Sequence, residues 1–335
     1  MPGLSLLEQI DHATQHLTAG GCVAMPTETV YGLAARIDSP EGIQAIFKLK
    51  ERPSFDPLIV HVDDFAQVAH LTSSWPIVAE SLARRFWPGP LTIVVPKHPN
   101  VNPMITSGLQ TVGIRMPNHP IARELIRRVG CPLAAPSANR FGRTSPTTAA
   151  HVRTEFPEAV ASGEIQILDG GPSVVGVEST VCLVDDQSVT ILRPGGITKE
   201  ELQKHLGESP ELHHIIVREA SNNQASPGHT EHHYETAKPL IVSWSTNLHD
   251  SGAIFEIAGR NITREKVLEL RLPSDPALAA RLLYATLRTG DEQPTSEALF
   301  LQRDLRILDR SEGLWRAIDD RITRAARLQI GVRPS

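Results

Sequence analysis

One short stretch near the amino terminus constrains the fold more than any other part of the sequence. An apolar run at residues 22–25 (CVAM) ends at Pro26 and is followed by the polar segment 27–32 (TETVYG). An apolar run closed by proline and then by small polar residues predicts a buried strand that leaves the core. Side chains just past the carboxyl end of such a strand face the ligand crevice of an open α/β sheet. The stretch therefore predicts a site at a strand end, although an ordinary polar turn has the same pattern.

Further predicted strands in the first 206 residues begin or end among cationic or hydroxyl side chains. No Cys–His or Ser–His–Asp pairing accompanies them, which disfavours a covalent hydrolase and fits a nucleoside triphosphate together with a small acidic molecule. The sequence contains no Walker A or dinucleotide glycine motif, so a nucleotide site would be of another type. The residues that define this pattern are Lys50, Arg52, Arg115 and Arg193 with Thr29, Thr111, Ser137, Ser145 and Ser179.

Two features of this pattern have alternative interpretations. Arg115 lies within the alternating strand 111–116, and a buried guanidinium needs an anion, which is either a ligand or a structural Asp or Glu. Lys50 and Arg52 lie at the carboxyl end of a predicted helix, where cations also interact favourably with the helix dipole.

Ser145 and Pro146 predict the N-cap and first residue of another helix, whose amides would bind an anion.

Composition narrows the class of protein. The chain has 335 residues, is 40% hydrophobic and 21% charged, and carries a net charge of −5, which disfavours a dominant nucleic-acid surface. Its three cysteines are widely spaced in apolar stretches, so we expect buried free thiols in a reducing compartment. We find no signal peptide and no apolar run long enough to span a membrane, and we expect a cytoplasmic protein.

The pattern predicts two domains and a linker: a catalytic domain at 1–206, a linker or lid at 207–238, and a small domain at 239–335. The linker contains Gly, Pro and histidines without apolar periodicity. Beyond it, strands at 240–242, 253–257 and 298–301 alternate with helices at 277–287 and 314–328, which predicts a small parallel α/β layer. We expect the arginines of the last helix and tail, among them Arg321, to form a solvated face.

Seven stretches of the first domain, taken in order, resemble the YrdC-like threonylcarbamoyl-AMP synthases in their two-domain form. Each stretch alone is weak, but seven in register are highly specific. The pairs Lys50/Arg52 and Ser137/Asn139 match the KxR…SxN hallmark of that family. The stretches are PTETVYGL (26–33), KERPSFDPLIVH (50–61), WPGPLT (87–92), TVGIRMPNHP (111–120), APSANRFGRTSPT (135–147), GVEST (176–180) and LRPGGIT (192–198).

The resemblance implies a large twisted α/β domain with a concave cavity, plus a small Rossmann-like α/β domain. It implies a nucleotidyltransferase, an L-threonylcarbamoyladenylate synthase that uses ATP with Mg²⁺, L-threonine and bicarbonate and releases pyrophosphate. Its product is the donor for N6-threonylcarbamoyladenosine at position 37 of tRNA. The tRNA would therefore be a partner only indirectly, through a downstream threonylcarbamoyl transferase. We expect a monomer or weak dimer that does not bind membranes.

By resemblance, site roles are transferred residue by residue. Lys50, Arg52 and Asn139 carry the catalytic hallmark, and no residue is implied as a metal ligand. The residues implied in ATP binding are Arg52, Asp56, Thr111, Ser137, Ser145, Arg193 and Tyr234. The residues implied in threonine binding are Thr29, His61, Arg115, Ala135 and Ser179.

The chain departs from the family pattern at 226–236, where SPGHTEHHYET replaces a sequence similar to SPGMKYRHYAP. His229, Thr230 and Glu231 would therefore change any contact of this segment with the nucleotide. Two other functions remain as alternatives. A double-stranded RNA-binding module would bind RNA more strongly than ATP, with strong salt dependence. A carbamoyltransferase that forms a carbamoyl-adenylate would accept carbamoyl phosphate in place of threonine.

Overall fold

The computed structural model describes residues 4–220, 233–244, 254–257, 259–303 and 313–331. The chain divides into two compact units, residues 1–141 with 145–229 and residues 142–144 with 230–335. The central part of the predicted linker, residues 221–232, lies outside the described residues, and so do His229, Thr230 and Glu231. No described helix has the length and apolar character needed to cross a membrane.

The described part of the first unit is a mixed α/β fold built around one ten-stranded sheet. Its helices are α1 (Leu6–Thr18), α2 (Pro40–Lys50), α3 (Phe65–Val68), α4 (Ile77–Phe86), α5 (Pro120–Val129), α6 (Ala149–Glu155), α7 (Pro157–Ala161) and α8 (Lys199–Gly207). Its strands are β1 (Cys22–Met25), β2 (Gly32–Arg36), β3 (Ile59–His61), β4 (Leu91–Pro96), β5 (Thr111–Arg115), β6 (Leu133–Ala134), β7 (Ile165–Ile167), β8 (Thr180–Val184), β9 (Ser188–Arg193) and β10 (Ile216–Glu219).

The strand order of this sheet is β10-β9-β8-β4-β5-β3-β6-β2-β1-β7. Strands β3 and β5 are parallel and place His61 opposite Arg115, whereas β8 and β9 form an antiparallel hairpin. Strand β10 pairs in parallel with β9, so the first part of the range predicted as linker is a strand of this sheet instead. Its buried Val217 packs in the main core, which holds this segment on the first unit.

Two apolar cores cover the sheet unequally. The larger core joins one sheet face, including Val60, Ile93 and Ile114, to helices α2, α4 and α8. A second core packs α1 and α5 against β1, β2 and β6. The other face of β3, β4 and β8 carries only a small cluster, with Ile59, Val94, Val181 and Leu192. Because side chains alternate along a strand, Thr92, His61 and Arg115 share this sparsely covered face.

The cysteines agree with the expectation from the sequence. Cys22, Cys131 and Cys182 are all buried free thiols. Burial raises the pKa of Cys22 to about 12, and it raises the pKa of Cys182 further. These thiols are packing residues rather than nucleophiles, because only the thiolate is reactive.

The described part of the second unit contains a parallel sheet, as predicted, in the order β14-β15-β11-β16. The strand predicted at 253–257 does not belong to it, because it is β12 of a separate antiparallel hairpin. An antiparallel hairpin of β12 and β13 packs on one sheet face through Phe255, Ile257 and Ile262. The elements are β11 (Leu240–Ser243), β12 (Ile254–Ile257), β13 (Arg260–Thr263), a 3-10 turn (Arg264–Lys266), β14 (Val267–Leu270), α9 (Pro276–Glu292), β15 (Ala298–Gln302), α10 (Leu314–Ala325) and β16 (Ala326–Ile330).

The carboxyl-terminal segment corrects two predictions. The last helix ends at Ala325 rather than 328, and strand β16 follows it directly. Burial alternates along this strand, so its period is two and not that of a helix. Arg321 is fully buried instead of solvated, and its guanidinium lies 5.5 Å from the Tyr234 ring centroid.

Candidate active site

Lys50 connects the two halves of the KxR…SxN hallmark. Its ammonium donates a 2.6 Å hydrogen bond to the carbonyl oxygen of Ser137 and another hydrogen bond to that of Asn139. Lys50 is completely buried. Burial lowers the pKa of this lysine well below its ordinary value, and the charge of Arg52 lowers it further. Lys50 therefore holds the loop 137–139 in place from the end of α2.

Arg52 organises the loop that follows α2. Its Nε donates to the carbonyl oxygen of Asp56 at 3.0 Å, and its Nη2 donates to that of Pro57 at 2.8 Å. The same Nη2 lies 2.9 Å from the Asp56 carboxylate, and both side chains are buried. The backbone at residues 56–57 thus surrounds the Arg52 guanidinium, and the Asp56 carboxylate is its counter-ion.

Buried positive charge accumulates around this loop. Burial is the main cause that lowers the pKa of Arg52; Asp56 raises that pKa, and Arg193 lowers it. The charges of Arg52 and Asp56 also act on Lys50, with Glu155 as a further carboxylate. Three buried basic side chains, Lys50, Arg52 and Arg193, therefore lie in one region, with Arg52 coupled to each of the other two. Buried positive charges are stabilised by anions, so this group, which we call the cationic cluster, is suited to an anionic ligand.

Arg193 brings Ser179 into the same region. Its Nε and Nη2 donate to the Ser179 carbonyl oxygen at 3.3 and 3.0 Å, and Nη2 lies 3.3 Å from the Ser179 hydroxyl. That hydroxyl also bonds Thr92 at 2.8 Å. Gly195 permits this arrangement, since a Cβ there would lie 2.3 Å from the Thr180 amide nitrogen. The loop that enters β8 and the loop that leaves β9 lie at the same open end of this antiparallel hairpin, and their backbones therefore pack closely together.

Arg115 has a carboxylate partner within the chain, Glu28. Arg115 Nη2 lies 2.7 Å from Glu28 Oε1, and the other carboxylate oxygen accepts from the Asn118 amide at 3.0 Å. Arg115 Nε donates to the Gly89 carbonyl at 3.3 Å. The structural partner considered above is thus present. Arg115 Nη1 makes no hydrogen bond to any residue that the structure describes, so this nitrogen is available to a second carboxylate.

His61 lies beside Arg115 in the neighbouring strand. It is 3% exposed, and its Nδ1 has no hydrogen-bond partner among the described residues. Burial, together with the charge of Arg115, lowers the pKa of His61 from 6.5 to about 3. The imidazole is therefore neutral near pH 7 and does not compete with Arg115 for an anion.

This shifted pKa predicts acid sensitivity. Between pH 6.5 and about 3 the unfolded chain binds a proton at His61 that the folded chain does not, so stability falls as pH falls. The loss is about 1.4 kcal/mol per pH unit for this group. Urea unfolding at pH 6.5 and 5.0 should show about 2 kcal/mol less acid destabilisation in His61→Gln than in the native chain. The exposed His70 provides the control His70→Gln, which should keep the native pH dependence; equal pH dependence in all three proteins would contradict this account.

The remaining residues assigned to threonine are Thr29, in the loop after β1, and Ala135, directly after β6. Thr29 is buried, and its hydroxyl bonds that of Thr27 at 2.9 Å, while Thr27 donates to the Val30 carbonyl at 2.6 Å. Ala135 is buried just after β6, with its amide bonded to the Ile59 carbonyl at 2.9 Å. These contacts shape the loop and strand backbone around the sheet face that carries Arg115.

Thr111, which was assigned to the nucleotide, and Asn139, which was assigned to the catalytic hallmark, lie in different surroundings. Thr111 begins β5, four residues from Arg115, and contributes to a mainly apolar pocket with Ile59 and Val181. Asn139 is buried and donates from its amide nitrogen to the Arg140 carbonyl at 2.8 Å. The contact of Thr111 with a nucleotide and the catalytic role of Asn139 stay predictions.

The prediction for Ser145 as a helix N-cap is wrong. Helix α6 begins at Ala149, and the Thr148 hydroxyl caps it. The Ser145 hydroxyl instead donates to the buried Glu178 carboxylate at 2.6 Å, and the Pro146 carbonyl accepts from the Tyr31 amide. This bond between residues 33 positions apart in sequence holds Ser145 outside the helix.

Tyr234 belongs to the second unit. It is buried with a positive φ of 66°, and its ring centroid lies 5.7 Å from that of Tyr284 and 4.5 Å from that of His233. The ring therefore has a packing role in this unit. Its assignment to the nucleotide stays a prediction.

The site roles assigned from the sequence did not include three polar residues of this region: Glu28 and Glu178, which accept from Arg115 and Ser145, and Thr92, which bonds Ser179. All three lie inside the quoted stretches. Each is a polar residue in a buried setting, and such residues need partners. Their partners are 33 to 87 residues away in sequence, so spacing alone does not identify them.

Two family models match the chain. The model Sua5_yciO_yrdC, described as telomere recombination, matches residues 15–195. The model Sua5_C, described as threonylcarbamoyl-AMP synthase, C-terminal domain, matches residues 197–327. Together they include every residue of the candidate site described above.

Three curated relatives carry the name threonylcarbamoyl-AMP synthase. The Bacillus subtilis protein is 44% identical over 237 residues, which cover 70% of this chain and 66% of the relative. The Pyrococcus abyssi protein is 43% identical over 231 residues, covering 69% and 66%. The Schizosaccharomyces pombe protein is 36% identical over 320 residues, covering 84% and 77%. The chain thus spans slightly less than two thirds of the first two relatives in these alignments.

Solved structures of Pyrococcus abyssi Sua5 are similar over both units. The structure complexed with L-threonine is 32% identical, with a TM-score of 0.82, and the match covers 98% of this chain and 97% of that one. A double-alanine variant of the same protein is 31% identical, with a TM-score of 0.80, and covers 99% and 98%.

Proposed function

Since this chain belongs to the Sua5/YciO/YrdC family, as its resemblance to YrdC-like synthases predicted, we propose that it is an L-threonylcarbamoyladenylate synthase. The substrates would be ATP, L-threonine and bicarbonate, and the products threonylcarbamoyl-AMP and pyrophosphate. The adenylate would serve a downstream transferase that modifies adenosine 37 of tRNA. The names of the relatives support the reaction, and the complex of Pyrococcus abyssi Sua5 with L-threonine supports the amino-acid substrate.

The observation that carries this proposal is the cationic cluster, defined by Lys50, Arg52 and Arg193. It combines three buried basic side chains with the Ser179 hydroxyl, and Lys50 is engaged by two backbone carbonyl oxygens. Such a site suits phosphoryl chemistry in which the attacking group belongs to a substrate, so that the protein contributes positioning and electrostatic stabilisation.

The reaction then proceeds in two steps. The threonine amine attacks bicarbonate to form a carbamate, with loss of water. A carbamate oxygen attacks the α-phosphorus, the bond from that phosphorus to the bridging oxygen breaks, and pyrophosphate leaves with the electron pair. Arg52 and Arg193 would stabilise the charge that develops on the pyrophosphate. Lys50 would hold the loop of Ser137 and Asn139 in position, as its two hydrogen bonds support.

The threonine end of the site would be the face that carries Arg115. Arg115 Nη1 would donate to the threonine carboxylate, while Glu28 and the Gly89 carbonyl fix the rest of the guanidinium. The neutral His61 would pack beside that carboxylate without adding charge. Ser179 is bonded to Arg193 and would lie between the amino acid and the phosphates.

Magnesium would enter the site as MgATP. No group of three or more acidic, histidine or cysteine side chains suited to a metal occurs among the residues that the structure describes. Asp56 is paired with Arg52. Mg²⁺ usually keeps several waters and binds mainly through substrate phosphates. The ion would neutralise phosphate charge together with the cationic cluster.

The proposal predicts that pyrophosphate release depends on both other substrates. We expect release from MgATP to fall to background when either threonine or bicarbonate is omitted, because the carbamate is the nucleophile. A coupled phosphate assay with pyrophosphatase in carbon dioxide-depleted buffer measures this. Pyrophosphate release at an unchanged rate without threonine would disprove the proposed function.

A further inference from the structure

The second unit contains a buried arginine–tryptophan pair that the proposed synthesis does not use. Arg303 follows β15, and Trp315 is the second residue of α10; they are 5% and 3% exposed. The Arg303 guanidinium carbon lies 4.0 Å from the centroid of the Trp315 ring. Arg303 Nε donates to Asp319 Oδ1 at 2.8 Å. The ring on one side and the carboxylate at one edge therefore fix the guanidinium.

Two donors of this pair lack an acceptor among the residues that the structure describes. Arg303 Nη2 and Trp315 Nε1 are both buried, and neither has a hydrogen-bond partner within residues 4–220, 233–244, 254–257, 259–303 and 313–331. Guanidinium and indole nitrogens can only donate, so their partner must be an acceptor atom such as oxygen. Buried donors in folded proteins are almost always paired, by protein, water or a ligand. Two such donors on side chains in contact point to one shared acceptor group.

The position of the pair in the fold favours a phosphate group as that acceptor. Strand β15 is an inner strand of the parallel sheet, and Arg303 stands at its carboxyl end, where α/β sheets bind ligands. Helix α10 has 12 residues and begins beside Trp315, and its N-cap Gly313 (φ 67°) supplies no side-chain cap. Amides at a helix N-terminus attract phosphate through their hydrogen bonds and the helix dipole.

We propose that Arg303, Trp315 and the first turn of α10 form a phosphate-binding site in the second unit. Arg303 Nη2 and Trp315 Nε1 donate to the phosphate oxygens, and Asp319 is a positioning residue that holds Arg303. The ligand is a free phosphate or the phosphate of a nucleoside monophosphate. This site lies outside the cationic cluster and does not depend on the proposed synthase activity.

The indole N–H of Trp315 allows a direct test by NMR. The chain has four tryptophans, so ¹⁵N-tryptophan labelling gives four indole signals, and Trp315→Phe identifies one of them. Inorganic phosphate and AMP are titrated separately into the full chain, with sodium chloride at matched ionic strength as the reference. We expect the Trp315 signal to shift saturably. Tighter binding of AMP would identify a nucleotide ligand, and equal binding would identify free phosphate.

Two variants separate this site from other effects. Arg303→Lys keeps the charge but loses the planar fork, and should weaken binding at the Trp315 signal by at least about fivefold. Arg193→Ala, in the cationic cluster, should leave that titration unchanged. The Trp244 indole, bonded to Gln329 at 3.2 Å, reports whether each variant is folded. A Trp315 signal that stays fixed, or moves equally with chloride, would mean that only ordered water fills the position and would overturn the proposal.

Discussion

Replacement of Arg115 by alanine is expected to raise the Michaelis constant for threonine by roughly 30-fold to 4,000-fold. The guanidinium is buried, and removal of one partner from a desolvated charge pair costs about 2–5 kcal/mol. The Michaelis constant for ATP should change far less, because Arg115 contacts Glu28 and the Gly89 carbonyl rather than the cationic cluster. Steady-state pyrophosphate release with each substrate varied in turn measures both constants.

The alanine variant also leaves the Glu28 carboxylate buried without its partner, which would itself destabilise the fold. The double variant Arg115→Ala/Glu28→Gln removes that charge and should show the same weakening of threonine binding. Arg123→Ala is a matched control, since Arg123 pairs with Asp63 at 2.8 Å and is 41% exposed. A folded Arg115→Ala protein with the native Michaelis constant for threonine would exclude Arg115 from the threonine site.

Replacement of Arg52 by alanine should act on the other substrate. We expect kcat/KM for ATP to fall by at least about 100-fold, because this change removes one buried cation and frees the Asp56 carboxylate to repel phosphate. The Michaelis constant for threonine should stay within about threefold of the native value. Arg84→Ala is the matched control, because Arg84 is 71% exposed and pairs with Glu80.

The comparison between these two variants is more informative than either alone. A loss confined to ATP in one and to threonine in the other would support two separate subsites on one sheet. Equal effects of both changes on both substrates would instead indicate a general disturbance of the domain. Circular dichroism and urea unfolding of each variant distinguish that disturbance from a local change.

Strand ends were the part of the fold that sequence patterns predicted best. The apolar run at residues 22–25 is β1, and the strands predicted at 240–242 and 298–301 are β11 and β15. These predictions succeed because they rest on local periodicity and on proline or glycine at defined positions. The parallel layer of the second unit was predicted for the same reason.

Contacts between distant residues were not predictable in this way. Arg115 and Glu28 are 87 residues apart, and nothing in their spacing shows that they pair. The two hydrogen bonds of Lys50 explain why its motif accompanies Ser137 and Asn139, but the motif alone does not reveal them. Ser145 followed by proline resembles a helix start, and its tertiary bond to Glu178 overrides that preference.

The most direct test of the proposed function is the mass of the product. The full chain is incubated with MgATP, L-threonine and ¹³C-bicarbonate, quenched quickly and analysed by mass spectrometry, with carbamoyl phosphate in place of threonine as a parallel reaction. We predict threonylcarbamoyl-AMP that gains one mass unit from the labelled bicarbonate, and no adenylate from carbamoyl phosphate. An unlabelled adenylate, or a carbamoyl-adenylate formed from carbamoyl phosphate without threonine, would contradict the account.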